Sequence, residues 1–203
     1  MNAAKIRLSA KEMELIGNAD WILTKNGILK KVQELLGGLL QEQQSVIANY
    51  KPSLPAEVVA ISPKISKGEN YKGLPYLVLD HPRYFDKENS LAIRSMFWWG
   101  NFFSTTLHIS GSYKRRFEQN ILGHLALLKE ESLFICTNNE EWEHHFEAGN
   151  YAAINSLPNE ALNKLVTEKR FLKLAYHIPL QQWDDALELL QDHFNKLLKL
   201  LVD

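Results

Sequence analysis

Apolar residues recur at three- and four-residue spacing near the start of the chain, and this spacing predicts helices. A capping box formed by Ser9 and Glu12 marks the start of the first helix, and Asn26-Gly27 predicts its end. A second helical stripe follows, formed by Leu29, Val32, Leu36, Leu39, Val46 and Tyr50. We expect residues 1–50 to form an antiparallel helical hairpin, with a bend or a close helix contact at Gly37-Gly38.

Between residues 55 and 111 the pattern changes to short runs of β-branched and aromatic residues separated by Pro, Gly and Asn. Such runs are typical of strands, and the short connections between them favour antiparallel pairing. The predicted strands are Glu57 to Ser62, Leu74 to Asp80, Leu91 to Trp99 and Phe102 to Ile109. The polar stretch from Lys64 to Gly73 is interpreted as a hairpin loop containing an irregular strand.

Residues 112–203 return mainly to helical spacing and add two predicted strands, Leu133 to Thr137 and Phe171 to Ile178. Helices are predicted from about Ser112 to Glu130, from Asn138 or Asn139 to about Gly149, from Ser156 to about Glu168, and from Pro179 onwards. The apolar stripe of the last helix indicates docking onto a sheet. The whole chain, 1–203, is therefore predicted to be a single α+β domain with about four to six antiparallel strands and helices packed on the sheet.

Composition narrows the class of protein without identifying a function. A length of 203 residues fits one domain, and a net charge of −1 provides no general attraction for nucleic acid or anionic membranes. The single cysteine, Cys136, is typical of a reducing cytoplasm, and no apolar run approaches the roughly 20 residues of a membrane span. We expect a cytoplasmic monomer or homodimer that has no cofactor, no nucleic-acid partner and no membrane partner.

The densest group of aromatic residues lies at Phe97 to Phe103, where five rings surround Gly100-Asn101. Each ring can bury about 150–250 Å², so together they exceed the roughly 400 Å² of apolar patch that a protein surface tolerates. They must be covered by the protein itself, a partner or a ligand. A two-residue turn would place Ser95 opposite Thr106 and Arg94 opposite Leu107.

Polar side chains follow the aromatic ones along this hairpin, and apolar walls with a few polar groups are typical of a ligand pocket. A buried arginine such as Arg94 also needs an anion, either a ligand or an internal carboxylate such as Asp80 or Glu118. An aromatic ladder that belongs to an ordinary core is the alternative interpretation. The predicted ligand-binding residues are Arg94, Ser95, Trp98, Trp99, Phe103, Thr106, His108 and Arg115.

Three other motifs contain chemically useful side chains. The stretch Ser110 to Arg116 joins a strand to a helix N-terminus and is a candidate anion site. In Asp80 to Tyr84, a histidine is available as a general base and Arg83 as a carboxylate clamp, although Asp and Pro are also common in turns. Glu141 and His144 have E-x-x-H spacing and Glu140 lies one turn before His144, but a third and a fourth zinc ligand cannot be placed, so no metal site is predicted.

Three classes of function remain open. The first is non-catalytic binding of a small anionic or amphipathic ligand beside the aromatic hairpin. The second is a protein-interaction module that forms a homodimer through the hairpin tip or through the C-terminal apolar stripe, which contains Leu189, Leu198 and Leu200. The third is an enzyme with His81 or His108 as general base, which ranks lower because no nucleophile and orienting group can be paired with either histidine.

Overall fold

An antiparallel sheet forms the centre of the molecule, which the computed structural model describes for residues 6–202. Its seven strands are β1 (Lys64–Tyr71), β2 (Leu74–Phe85), β3 (Ser90–Trp98), β4 (Phe102–Ser110), β5 (Leu133–Cys136), β6 (Tyr151–Ala153) and β7 (Phe171–Pro179). They lie in the order β1-β2-β3-β4-β7-β5-β6. The predicted α+β class is confirmed, with more strands than the sequence indicates.

Helices precede, interrupt and follow the strands. They are α1 (Ala10–Gly17), α2 (Ala19–Tyr50), α3 (Ala56–Ala60), α4 (Gly111–Leu128), α5 (Asn159–Thr167) and α6 (Ala186–Val202), with short 3₁₀ segments at Ile154–Ser156 and Leu180–Asp185. In the described part of the chain, none of these helices combines the length and apolar content needed to cross a bilayer.

The N-terminal helices divide at Asn18 and not at Asn26-Gly27, so the predicted helix end is wrong. The capping box of Ser9 and Glu12 is confirmed, and the Asn18 side chain accepts a hydrogen bond from the N–H of Trp21 (3.2 Å). Helix α2 continues because it buries one long apolar stripe, a gain that outweighs about 1 kcal/mol for each glycine. Helix α1 buries no side chain, so it does not pack as the second arm of a hairpin.

Three further segments differ from the prediction. The start of the expected strand 57–62 belongs to helix α3, which inserts the fully buried Val58 into the core. Residues 64–71, expected to be mostly loop, form the edge strand β1, which pairs with β2. The predicted helix at residues 138–149 is absent, and this segment crosses the sheet in turns and extended backbone before β6. Its acidic and aromatic side chains have partners on the sheet, which override the local helical pattern.

One face of the sheet carries the helices and most of the core. Helices α2 and α6 pack over Leu79, Phe97 and Phe103, while α3, α4 and α5 close the other end of the same face. The fully buried strand residues here are worth about 1.5–3 kcal/mol each relative to exposure. Leu198 and Leu200 are buried in this core as well, so they do not form the free surface that homodimerisation through them would need.

The opposite face of the sheet is here called the open face. Residues 138–150, here called the strap, cross it. Phe146 of the strap stacks on Tyr151 (4.7 Å between ring centroids) and contacts Phe102 (5.1 Å). Phe97, Trp98, Phe102 and Phe103 are each at most 5 % exposed, which confirms that the aromatic hairpin is covered. The cover is the protein's own helices on one face and its own strap on the other.

The register of the central hairpin differs from the prediction by one residue. Trp98 pairs with Phe102, so the loop has three residues, and the N–H of Asn101 donates to the carbonyl of Trp98 (3.1 Å). Gly100 adopts φ +71°, a conformation that glycine reaches without strain. Because side chains alternate between faces, the slip moves every β4 residue to the other face relative to β3. Arg94 therefore lies opposite Thr106.

Candidate functional site

Charged and polar side chains converge on the open face, where the strands contribute alternate residues. Asp80 of β2, Arg94 of β3 and Thr106 of β4 lie side by side across three neighbouring strands. His108 of β4 lies beside Lys173 of β7. The one-residue register shift creates this row, because the predicted register places Thr106 and His108 on the face away from Arg94.

Arg94 makes a two-pronged ion pair with Asp80. Its Nε donates to Oδ1 (2.7 Å) and its Nη2 donates to Oδ2 (2.9 Å), so the expected need for an anion is met by an internal carboxylate. Its Nη1 lies 3.1 Å from Nε2 of His144. Because a guanidinium only donates, His144 accepts through Nε2 and is neutral. Burial and the charge of Arg94 both lower the pKa of His144.

A second set of contacts fastens the strap to the sheet. Nε2 of His108 lies 2.7 Å from Oε1 of Glu141, which fits a neutral histidine donating to a carboxylate. Burial lowers the pKa of His108, and the hydrogen bond from His108 lowers the pKa of Glu141. The ammonium of Lys173 donates to the backbone carbonyls of Glu141 (3.0 Å) and Glu143.

Tyr71, at the end of β1, holds the other side of the strap. Its hydroxyl donates to Oε2 of Glu143 (2.8 Å) and accepts from the N–H groups of His144 (2.7 Å) and His145 (3.1 Å). Burial raises the pKa of Tyr71 to about 12. The hydroxyl therefore stays protonated at neutral pH, as these contacts require.

A cavity of about 470 Å³ remains between the strap and strands β1 to β3. Its lining combines aromatic and apolar walls with charged groups. The lining residues are Lys64, Ser66, Tyr71, Tyr76, Val78, Asp80, Arg83, Phe85, Arg94, Met96, Trp142 and His144. This volume lies within the range of about 300–1,000 Å³ that is usual for small-molecule sites.

Two cations at this cavity have no carboxylate partner among residues 6–202. Neither Lys64 nor Arg83 has a carboxylate oxygen within 4.0 Å. Arg83 donates through Nε to the backbone carbonyl of Ser62 (2.8 Å), which fixes the plane of its guanidinium. Since Asp80 already pairs with Arg94, the cavity carries an uncompensated positive charge.

The predicted ligand-binding residues are distributed over three places. Arg94 alone among them lines the cavity; Trp98, Thr106 and His108 lie on the same face beneath the strap or beside it. Ser95, Trp99 and Phe103 lie on the helix face, and Arg115 is exposed on α4. Ser95 contacts Gln43 of α2 and not the open face.

The predicted anion site at residues 110–116 is occupied by the protein itself. Oδ1 of Asn89 accepts from both the N–H and the hydroxyl of Ser112 (2.8 Å each), which caps the start of α4. Lys114 pairs with Glu118 one turn later (2.5 Å). These contacts leave Arg115 as an ordinary exposed cation.

Of the cavity residues, the sequence predicts Arg83 as a carboxylate clamp, whereas Lys64, Trp142 and Tyr71 are not among its predicted ligand-binding residues. Lys64 and Ser66 lie on one face of the sheet, and the residue between them lies on the other. Such alternation is typical of a strand, although this stretch is interpreted as a loop from the sequence. Trp142 and Tyr71 carry no local signal, because strap and strand meet only in the folded chain.

The structure places the two candidate general bases, His108 and His81, in different surroundings. His108 is 4 % exposed and already bound to Glu141. His81 points away from the strap cavity into a separate space beside α2 and α3, and burial lowers its pKa to about 4. Within residues 6–202, no three His, Cys, Asp or Glu side chains form a group able to hold a metal ion.

The arrangement is suited to holding an anion against aromatic walls. Comparison of the chain with family models, with curated proteins and with solved structures finds no match in any of the three.

Proposed function

We propose that this protein binds a small anionic ligand with an apolar part, in the cavity between the strap and strands β1 to β3, and that it does so in the cytoplasm without catalysing a reaction. The observation that carries the proposal is the pair of cations, Lys64 and Arg83, facing a partly enclosed cavity without a carboxylate partner in the described chain. A cation in such a place is stabilised by an incoming carboxylate or phosphate.

The polar end of the ligand has a defined position in this proposal. Arg83 offers its two Nη groups, which make no hydrogen bond within residues 6–202, while its Nε stays bound to Ser62. Arg94 is less available, since Asp80 and His144 already use its three donor nitrogens. Arg94 therefore shapes the floor of the site, and Arg83 and Lys64 supply the attraction.

The apolar end of the ligand has its own walls. Val78 and Met96 form part of the floor, and Phe85 and Trp142 stand at the side with ring centroids 5.9 Å apart. Trp142 is 54 % exposed, and its ring also contacts the ring of His108 (5.2 Å between centroids). A ligand that covers this ring gains the free energy of removing it from water.

The positions of the histidines support binding in preference to acid–base catalysis. Nε2 of His144 accepts from Arg94, and Nε2 of His108 is committed to Glu141. Neither of these two Nε2 atoms is free to accept a proton from a ligand in the cavity. A general base needs a free nitrogen within reach of the substrate proton.

The direct test is calorimetric titration with a matched series of probes: benzoate, decanoate, phenyl phosphate, inorganic phosphate and the neutral analogue benzamide. We expect saturable binding of the anions that carry an apolar part, and quenching or a shift of Trp142 emission that the Trp142→Phe variant lacks. Arg83→Gln should weaken binding by about tenfold, which corresponds to one charged hydrogen bond.

The matched control is Arg115→Gln, because Arg115 is an exposed arginine outside the cavity. It should bind the probes as the parent protein does. Equal losses in Arg83→Gln and Arg115→Gln would indicate general surface attraction and contradict the proposal. Absence of saturable binding for every anionic probe would contradict it as well.

A further inference from the structure

The first helices of the chain extend beyond the core. We call residues 6–28 the N-terminal arm; Leu29 is the first residue of α2 that is buried. At 1.5 Å per residue, the part of α2 before Leu29 projects about 15 Å. A contact between Lys25 and Glu69 of β1 (3.1 Å) fastens the base of the arm to the sheet.

The arm contains a helix that its own fold does not support. Helix α1 has eight residues, and none of them is buried. Isolated helices shorter than about 12–15 residues are marginal in water, even with good capping. The caps at Ser9 and Asn18 define where the helices start, but the stabilising contact on the apolar side is missing.

Exposed apolar side chains are concentrated on the arm. Eight of the ten large apolar side chains that are exposed in the described chain lie here: Ile6, Leu8, Met13, Leu15, Ile16, Trp21, Ile22 and Leu23. With roughly 200 Å² for each fully exposed residue of this size, these eight together expose about 950 Å². A typical monomer has no apolar patch above about 600 Å², whereas one side of a standard protein interface covers about 800 Å².

The arm is also concave. The elbow at Asn18 encloses a groove of about 580 Å³ between α1 and the start of α2, lined mainly by Leu8, Leu15, Ile16, Trp21 and Ile22. A groove beside protruding apolar side chains lets one arm insert into another, as interfaces with well-packed centres require.

The charge of the arm decides which partner fits. Its three cations, Arg7, Lys11 and Lys25, are balanced by three anions, Glu12, Glu14 and Asp20. A helix that lies on an anionic membrane carries an excess of Lys and Arg, and a charged protein partner needs a surface of opposite sign. A neutral apolar patch is complementary to itself, and a two-fold axis brings the same patch to both sides.

We propose that the N-terminal arm is the interface of a homodimer, in which the apolar faces of α1 and the start of α2 cover those of a second copy. This interface is separate from the strap cavity and does not depend on what that cavity binds. It also differs from dimerisation through the hairpin tip or the C-terminal stripe, whose apolar residues are mostly buried in the fold.

Sedimentation velocity of the full chain tests the interface. Between about 1 and 100 μM we expect a species near twice the 23.4 kDa mass of one chain. The double variant Ile16→Glu/Leu23→Glu should sediment as a monomer, with the dissociation constant raised about a hundredfold or more, because two charges enter an apolar contact. Leu127→Glu is the matched control, since Leu127 on α4 is 62 % exposed and Leu23 is 63 % exposed; it should remain dimeric.

A parent protein that is monomeric throughout this range, or a double variant that remains dimeric, overturns the proposal. If the double variant loses its fold, dilution of the parent protein decides: Trp21 emission should shift to the red, and Trp21→Phe should lack that shift. An unchanged emission on dilution below the dissociation constant overturns the interface at Trp21. Flotation of a monomer with vesicles of phosphatidylcholine and phosphatidylglycerol would overturn it in favour of lipid.

Discussion

Lys173 provides the sharpest test of the electrostatics under the strap. It is 1 % exposed, and its ammonium donates to the carbonyls of Glu141 and Glu143, 5.3 Å from the centre of the Tyr151 ring. Burial lowers the pKa of Lys173 from its usual 10.5 to about 8. The folded protein therefore carries the cost of a buried ammonium at neutral pH.

The sign of the pH effect follows from proton binding. The unfolded chain keeps the proton of Lys173 up to about pH 10.5, whereas the folded chain releases it near pH 8. Between these values the unfolded state binds more protons, so the free energy of unfolding rises with pH. Integrated from about pH 7 to about pH 9.5, this gain is about 2 kcal/mol.

Urea denaturation of the parent protein and of Lys173→Met at about pH 7 and about pH 9.5 measures this gain. We expect the stability of the parent protein relative to Lys173→Met to increase by about 2 kcal/mol between the two conditions. Lys199→Met is the matched control, because Lys199 is exposed, and its difference from the parent should be the same at both pH values. A difference for Lys173→Met that does not change with pH would refute the reasoning.

Three other predictions concern Arg94, Gly111 and His81. Arg94→Met leaves the Asp80 carboxylate buried without its partner, so urea denaturation should show a loss of about 3–5 kcal/mol that Asp80→Asn in the same chain largely restores. Gly111→Ala places a side chain at φ +59° against the carbonyl of Glu88. The melting temperature of this variant, followed by circular dichroism, should fall by several degrees, whereas that of the control variant Gly123→Ala should not fall. Burial lowers the pKa of His81 from 6.5 to about 4. The unfolded chain therefore binds a proton at this residue before the folded chain does, and the free energy of unfolding should fall as the pH drops from about 6.5 towards 4. In thermal melts recorded across this range, His81→Gln should show a smaller dependence on pH.

The spacing of apolar residues and the capping motifs predicted helices and strands correctly where the segment also buries the predicted face. The capping box at Ser9 and the β-branched runs of β3, β4 and β7 are recovered with ends that differ by a residue or two. These features are short-range, since a cap or an alternating strand involves residues only a few positions apart. The need of Arg94 for an anion was also predictable, because a buried unpaired charge costs several kcal/mol.

The candidate site depended on facts that no local pattern contains. The loop after Trp98 has three residues instead of two, and this single difference decides whether Arg94 faces Thr106 or Leu107. The strap looks helical in sequence, yet its carbonyls and carboxylates bind Lys173, His108 and Tyr71. Those partners lie far away along the chain, so only the folded sheet brings them together.

The amino-acid sequence by itself determined the fold class, the position of most strands and helices, and the burial of the aromatic hairpin. Those properties follow from periodicity and apolar area, which are sums over neighbouring residues. The tertiary structure decided the register, the course of the strap, the cavity at Lys64 and Arg83, and the exposure of the N-terminal arm. Each of these depends on contacts between residues distant in the chain, and a shift of one position or one missing contact changes which side chains meet.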